Sequence, residues 1–178
     1  TNDTMYGLLM AQLDSTNLMT KVVQNLATAF ELLCHSKLQA HHNHDIWDIR
    51  HRWVQYRHEI SSRLLAGEYN LTPANSASVD GHSVLVWCGI DTIVLKAISI
   101  TLEEYLYPKL GVYDHCYHTK GRGLKSAITA TVAKLKDYDF VFKTDIKSYY
   151  ASLNAHRIQD CLSRWIKDRR IMRLIWQY

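Results

Sequence analysis

The chain has 178 residues, 47% of them hydrophobic and 21% charged, with only 2 Pro and 7 Gly, which excludes wholesale disorder, collagen and Pro-rich arrays. That length suits one globular domain or two small lobes sharing a core. The formal net charge of +4 hides a division: residues 1–119 carry 8 Lys and Arg against 12 Asp and Glu, a net of −4, whereas residues 120–178 carry 13 against 5, a net of +8. A basic half of this kind either meets a polyanion or lies on solvated helix faces, and charge alone leaves both readings open.

No stretch approaches the roughly 18 consecutive apolar residues of a membrane span, because Lys96 and Lys143 interrupt the most apolar runs. No basic, apolar and small-residue leader follows Thr1, so the expectation is a cytoplasmic protein without a membrane partner, and the missing initiator Met suggests a piece of a longer chain. Cys34, Cys88, Cys116 and Cys161 form no C-x-x-C pair and read as reduced thiols. His41, His42 and His44 sit in a polar turn without the spacing of a zinc site.

In chain order, apolar residues at Val22, Val23, Leu26, Ala29, Phe30 and Leu33 predict a helix from Leu18 to Leu38, capped by Thr16 or Asn17. A second helix is expected from Asp45 to Ala66, with Ile46, Ile49, Trp53, Tyr56, Ile60 and Leu64 as its stripe and Gly67 just past its end. Asp80-Gly81, followed by Val84-Leu85-Val86-Trp87, predicts a two-stranded ribbon within residues 67–87. Asp91 caps a third helix running to Tyr107, stopped by Pro108, with Val94, Ala97, Ile98, Leu102 and Tyr105 inward. A loop over 111–123 leads to a fourth helix, Leu124–Lys136. Residues Asp139–Ile146 then read as a buried strand. Asn154 caps a fifth helix with Ile158, Cys161, Leu162 and Trp165 inward, and Arg169–Tyr178 starts a sixth. The fold class is α+β, predominantly helical, in three stretches: a helical region 1–66, a region 67–136 holding the ribbon, and a region 137–178 holding the strand.

Asp145 closes that apolar strand and is followed at once by Lys147-Ser148-Tyr149-Tyr150 after Ile146. A carboxylate there needs a pair, hydrogen bonds or a cation. It either caps the next turn, paired with Lys143 or Lys147, or offers the hard oxygen ligand that Mg²⁺ takes beside substrate phosphates.

The segment Phe140-Val-Phe-Lys-Thr-Asp145-Ile146-Lys147-Ser148-Tyr149-Tyr150 resembles motif A of reverse transcriptases, in particular the bacterial group II intron-like enzymes. The resemblance runs upstream in order: Leu65-Ala66-Gly67-Glu68-Tyr69 with Pro73 resembles the entry to the fingers. Val86-Trp87 with Asp91, Val94, Leu95, Lys96 and Ala97 resembles the fingers helix. Tyr117-His118, Lys120-Gly121, Gly123-Leu124-Lys125 and Ala127 resemble the loop and helix leading into the palm. The match covers about residues 60–165.

This resemblance implies a right-hand polymerase fingers and partial palm, with a central palm strand, and RNA-directed DNA synthesis through two Mg²⁺ ions. It makes Asp145 the catalytic and metal-bridging carboxylate and gives the Ile146 backbone carbonyl a place in the metal shell. Lys147, Tyr149 and Tyr150 lie at the incoming nucleotide, where ordinary palm packing is the alternative role for the two tyrosines. Lys120, Arg122 and Lys125, flanking two glycines at a helix start, suit nucleic-acid phosphates, and Lys134, Lys136 and Arg157 extend that track or form a solvated face. The implied partners are an RNA template, a DNA primer and deoxynucleoside triphosphates. The Tyr-x-Asp-Asp hairpin that completes the family's active site is not among these 178 residues, so the chain as it stands is expected to be inactive. An exposed palm edge is expected to favour self-association. The alternatives are a degenerate, non-catalytic relative that binds RNA or protein, and an unrelated helical interaction domain in which Asp145 is a cap.

Overall fold

A computed structural model of the protein describes residues 18–79, 81–111, 116–117 and 121–178, and the backbone only of Val79, His82, Tyr150 and Ala151. In chain order the described elements are helices α1 (Leu18–Ser36), α2 (Ile46–His51) and α3 (Trp53–Ala66), strands β1 (Asn75–Val79) and β2 (His82–Val86), and helices α4 (Gly89–Leu106), α5 (Leu124–Leu135), α6 (Tyr149–Ser152), α7 (Ala155–Ser163) and α8 (Arg169–Gln177). The protein is predominantly helical with one small antiparallel sheet. It divides into two units, one drawn from the described residues of Thr1–Tyr105 with Ala155–Tyr178, the other from those of Leu106–Asn154. No helix among the described residues is long and apolar enough to cross a membrane. None of the four cysteines is in a disulfide.

The larger unit is built on a helical core. Leu18, Met19, Val22, Leu26 and Ala29 bury one stripe of α1, with the i, i+3, i+4 spacing of a helix face. Ile46 and Ile49 of α2, Ile60 and Leu64 of α3, and Ile93, Val94, Ala97, Ile98 and Tyr105 of α4 complete the apolar interior together with Ile171 and Leu174 of α8. Polar ties cross it. The Asn25 amide donates to the Thr101 hydroxyl at 3.0 Å, and the Arg50 guanidinium donates to the Cys34 carbonyl at 2.7 Å, satisfying an acceptor near the end of α1. Thr101, rather than the expected Leu102, takes the buried place on α4.

The expected second helix is two helices. It is interrupted at Arg52, whose φ of −108° and ψ of 20° leave the helical region, and the next residue, Trp53, stacks flat on Phe30 with ring centroids 4.1 Å apart. Asp45 does not cap α2 through its side chain. Its carboxylate instead accepts the Gly89 backbone N–H at 2.6 Å, supplying a partner to the first turn of α4. A Cβ on Gly89 would lie 2.5 Å from Ile49 Cδ1 and 2.9 Å from an Asp45 carboxylate oxygen, so a larger residue would have to displace both side-chain ends. Gly67, expected just past α3, sits there in the left-handed conformation at φ 74°.

The ribbon forms as expected, Ser76 opposite Leu85 and Ala77 opposite Val84. Asp80 and the Thr16 or Asn17 cap lie outside the described residues.

Two expectations fail. Residues 140–146 form no strand, and Phe140 and Phe142 are 91% and 89% exposed. The alternating apolar pattern is real, but an extended segment is stable as a strand only when a neighbour satisfies its N–H and C=O groups and covers one face. Among the described residues of the smaller unit there is no strand to do either. The palm edge expected to drive self-association is therefore not formed by this segment. Likewise α7 buries no residue: Ile158 is exposed, as is Trp165 just past its end, and burial passes to Ile166 and α8. Nine residues give α7 only two and a half turns, and the ring contact it makes with α8 comes from His156 against Trp176 rather than from the apolar stripe.

Candidate functional site

The smaller unit holds the residues that the motif A resemblance singles out. Asp145 and Ile146 lie exposed at the end of the irregular 140–146 segment. Lys147 and Ser148 form a turn in which Ser148 has φ 54°, an uncommon conformation for a residue other than glycine. The chain then enters α6, where the Ser152 N–H donates to the Ser148 carbonyl at 2.9 Å and the Ser152 hydroxyl to the Tyr149 carbonyl at 2.7 Å. Tyr149 is half-exposed; Tyr150 lies in α6, and its side chain is outside the described residues.

The basic set occupies the start of α5. Gly121, at φ 81°, makes the turn, Arg122 is part-buried, and Lys125 is exposed in the first helical turn. Gly123 precedes the helix without a side-chain cap, which leaves its first N–H groups to other acceptors. Lys120 lies outside the described residues. Lys134 and Lys136 are exposed at the far end of α5; Arg157 lies on α7 in the other unit, so the six basic residues do not belong to one unit.

The fit to magnesium is partial. Asp145 is a hard oxygen donor, open to solvent, and among the described residues it forms no ion pair with Lys143, Lys147 or any other base. No group of three His, Cys, Asp or Glu among the described residues converges to hold a metal. One carboxylate and one backbone carbonyl do not enclose two divalent ions, so no chemical step through metal follows from these residues.

The larger unit contains a second polar centre. Asp91, 1% exposed in the first turn of α4, accepts the Tyr69 hydroxyl at 2.6 Å on one carboxylate oxygen. The other oxygen accepts the Thr72 backbone N–H at 2.9 Å, the Thr72 hydroxyl, and the Cys88 thiol at 3.2 Å. Charge-assisted bonds and the positive end of α4 together make this buried carboxylate tolerable. Burial, and then the bond to Asp91, push the Tyr69 hydroxyl well above the usual tyrosine range; burial raises the Cys88 thiol too, keeping it a donor. The Arg63 guanidinium lies over the Tyr69 ring, 5.3 Å from its centroid.

Helix α8 locks the same loop from outside. Arg170 donates to the Leu65 carbonyl at 2.9 Å and Arg173 to the Tyr69 carbonyl at 2.6 Å, while the Leu71 N–H donates to Gln177 at 2.8 Å. Positions 170, 173 and 177 share one helix face, so a single docking event satisfies three backbone groups. Sequence reading treats Asp91 as a cap and counts the basic residues of α8 only in the net charge of residues 120–178. A signal was present in the carboxylate placed at the head of a very apolar helix, but two of its three donor residues, Thr72 and Tyr69, stand 19 and 22 residues away.

No protein-family model matches the chain, and no curated protein matches it.

Proposed function

We propose that the chain is the fingers and first palm segment of an RNA-directed DNA polymerase of the group II intron-like kind, with Asp145 as one of its metal-binding carboxylates. The observation that carries the reading is the Phe140–Tyr150 segment, in which an apolar approach ends in Asp-Ile-Lys followed by paired tyrosines. Support comes from the larger unit. The two separate stretches that resemble the family's fingers, around Tyr69 and around Asp91, meet there in one buried set of hydrogen bonds, as parts of a single fingers module would.

In this reading Asp145 and the Ile146 carbonyl contribute to the shell of magnesium, which stabilises charge in nucleotidyl transfer when bound. Lys147, Tyr149 and Tyr150 border the nucleotide. Lys120, Arg122 and Lys125 hold template or primer phosphates, so nucleic acid should bind even where synthesis does not occur.

Titration of a labelled RNA–DNA hybrid across a salt series tests this. Each phosphate contact contributes a slope of about −0.7 to −0.9 in log K against log salt. A slope of about −2 to −3 is expected, losing about one unit in Lys125→Ala. A slope near zero contradicts the nucleic-acid reading. Salt-dependent binding by a full-length protein that never extends a primer favours the non-catalytic RNA-binding alternative.

A further inference from the structure

Residues 70–74 join α3 to the ribbon without regular structure, and among the described residues no backbone–backbone hydrogen bond involves them. Two anchors hold this loop instead. Inside, Asp91 of α4 accepts the Tyr69 hydroxyl and both the N–H and the hydroxyl of Thr72. Outside, Arg173 of α8 donates to the Tyr69 carbonyl, while Gln177 accepts the Leu71 N–H and donates to the Asn70 side chain at 3.1 Å. Tyr69 is the joint between them: its hydroxyl lies on α4, its carbonyl on α8 and its ring under the Arg63 guanidinium of α3. The first turn of α8 adds a fixed point. There the Asp168 carboxylate accepts the Arg170 N–H at 2.9 Å, and the Arg170 stem passes so near Gly67 that a Cβ there would lie 3.2 Å from Arg170 Cγ.

We propose that α8 is a strap over the Asp91 centre, and that its contacts with the loop and the loop's bonds to Asp91 open and close together as one local transition. The anchors interleave, with outer contacts at 69, 70 and 71 and inner ones at 69 and 72. At most about 3.6 Å separates one residue from the next, so the backbone cannot leave α8 without pulling on the groups bonded to Asp91. Releasing those groups strips donors from a buried carboxylate, which makes half-open arrangements costly. The strap also controls a hollow of about 290 Å³ bordered by Tyr69, Asn70 and Thr72 together with Arg63, Cys88 and Asp91. In the polymerase reading, a helix that follows motif A in the chain thereby closes the entry to the fingers. The coupling itself does not rest on that reading, and its test involves neither nucleic acid nor magnesium.

Hydrogen–deuterium exchange of the full-length natural protein, resolved to single amides by fragmentation mass spectrometry, tests the coupling by perturbing one anchor and reading the other. The inner reporter is the Thr72 amide, bonded to Asp91, and the outer one is the Leu71 amide, bonded to Gln177. Arg173→Met removes an outer contact and should speed Thr72 exchange about tenfold, the worth of one hydrogen bond from a charged donor. Gln177→Ala should speed it about fivefold. Tyr69→Phe removes an inner contact and should speed Leu71 exchange about tenfold, because coupling is reciprocal. Asn25→Ala cuts a tie between α1 and α4 outside the loop and should leave both amides at their wild-type rates. The proposal is overturned if Thr72 exchange is unchanged in both α8 variants or if Leu71 exchange is unchanged in Tyr69→Phe. It is also overturned if Asn25→Ala speeds both amides as much as Arg173→Met does, since the loop would then open only with the whole unit.

Discussion

At the scale of single residues, four donors from three positions converge on the Asp91 carboxylate, and Tyr69 is the one whose removal is chemically cleanest. Tyr69→Phe keeps the ring under Arg63 and deletes only the hydroxyl. Losing a bond to a buried carboxylate costs about 2 kcal/mol at neutral pH. The pH dependence has a definite sign. The folded state holds the Tyr69 proton more tightly than the unfolded chain does, so the tyrosine's contribution is fully present below the unfolded pKa of about 10 and is lost as pH rises above it. In urea unfolding followed across pH, the gap between wild type and Tyr69→Phe should be constant from pH 7 to about 9 and shrink by about 1.4 kcal/mol per unit above about 10. A gap that widens in alkali contradicts the assignment. Little of this contact is legible in the sequence. Asp91 can be seen to stand at a helix start, because capping preferences are local, and Gly67 can be placed past α3 because only a residue tolerant of positive φ fits there. That Asp91 is the anchor of a loop some twenty residues upstream depends on how α4 meets that loop, which periodicity does not encode.

At the scale of elements, the two units differ in how their amphipathic helices are used. Helix α8 buries Ile171 and Leu174 and sends Arg170, Arg173 and Gln177 to backbone groups of residues 65–71. Helix α5 carries an equally regular stripe, Leu124, Ile128, Val132 and Leu135, yet all four are exposed and the helix buries nothing. Leu174→Ala should therefore cost about 2–5 kcal/mol in urea unfolding, whereas Ile128→Ala should stay within about 0.5 kcal/mol. Similar losses at the two positions would mean that α5 has a buried partner in solution. Helix existence is readable in both cases from the 3.6-residue period, but the period says only which face is apolar, not whether anything covers it. The same limit explains residues 140–146. Alternation at Phe140, Phe142 and Ile146 suits a strand, while strand formation depends on a neighbouring ladder supplied from elsewhere.

At the scale of the whole molecule, the chain pairs a hydrogen-bonded helical unit with a unit whose chemistry-bearing residues face solvent. The acidic and basic halves seen in the charge count follow a different division, because the basic residues of α7 and α8 belong to the larger unit. Several of those are engaged in holding the protein together: Arg170 pairs with the buried Asp168 at 2.7 Å, and Arg173 grips a loop carbonyl. The exposed positive charge of the smaller unit rests on Lys125, Lys134, Lys136, Lys143 and Lys147. The most direct test of the central claim is primer extension on an RNA template by the full-length natural protein, comparing wild type with Asp145→Ala at fixed magnesium. If Asp145 is a metal-binding carboxylate of a polymerase, extension should fall by several orders of magnitude while affinity for the RNA–DNA hybrid stays within about twofold. Equal extension by the two proteins would contradict the account.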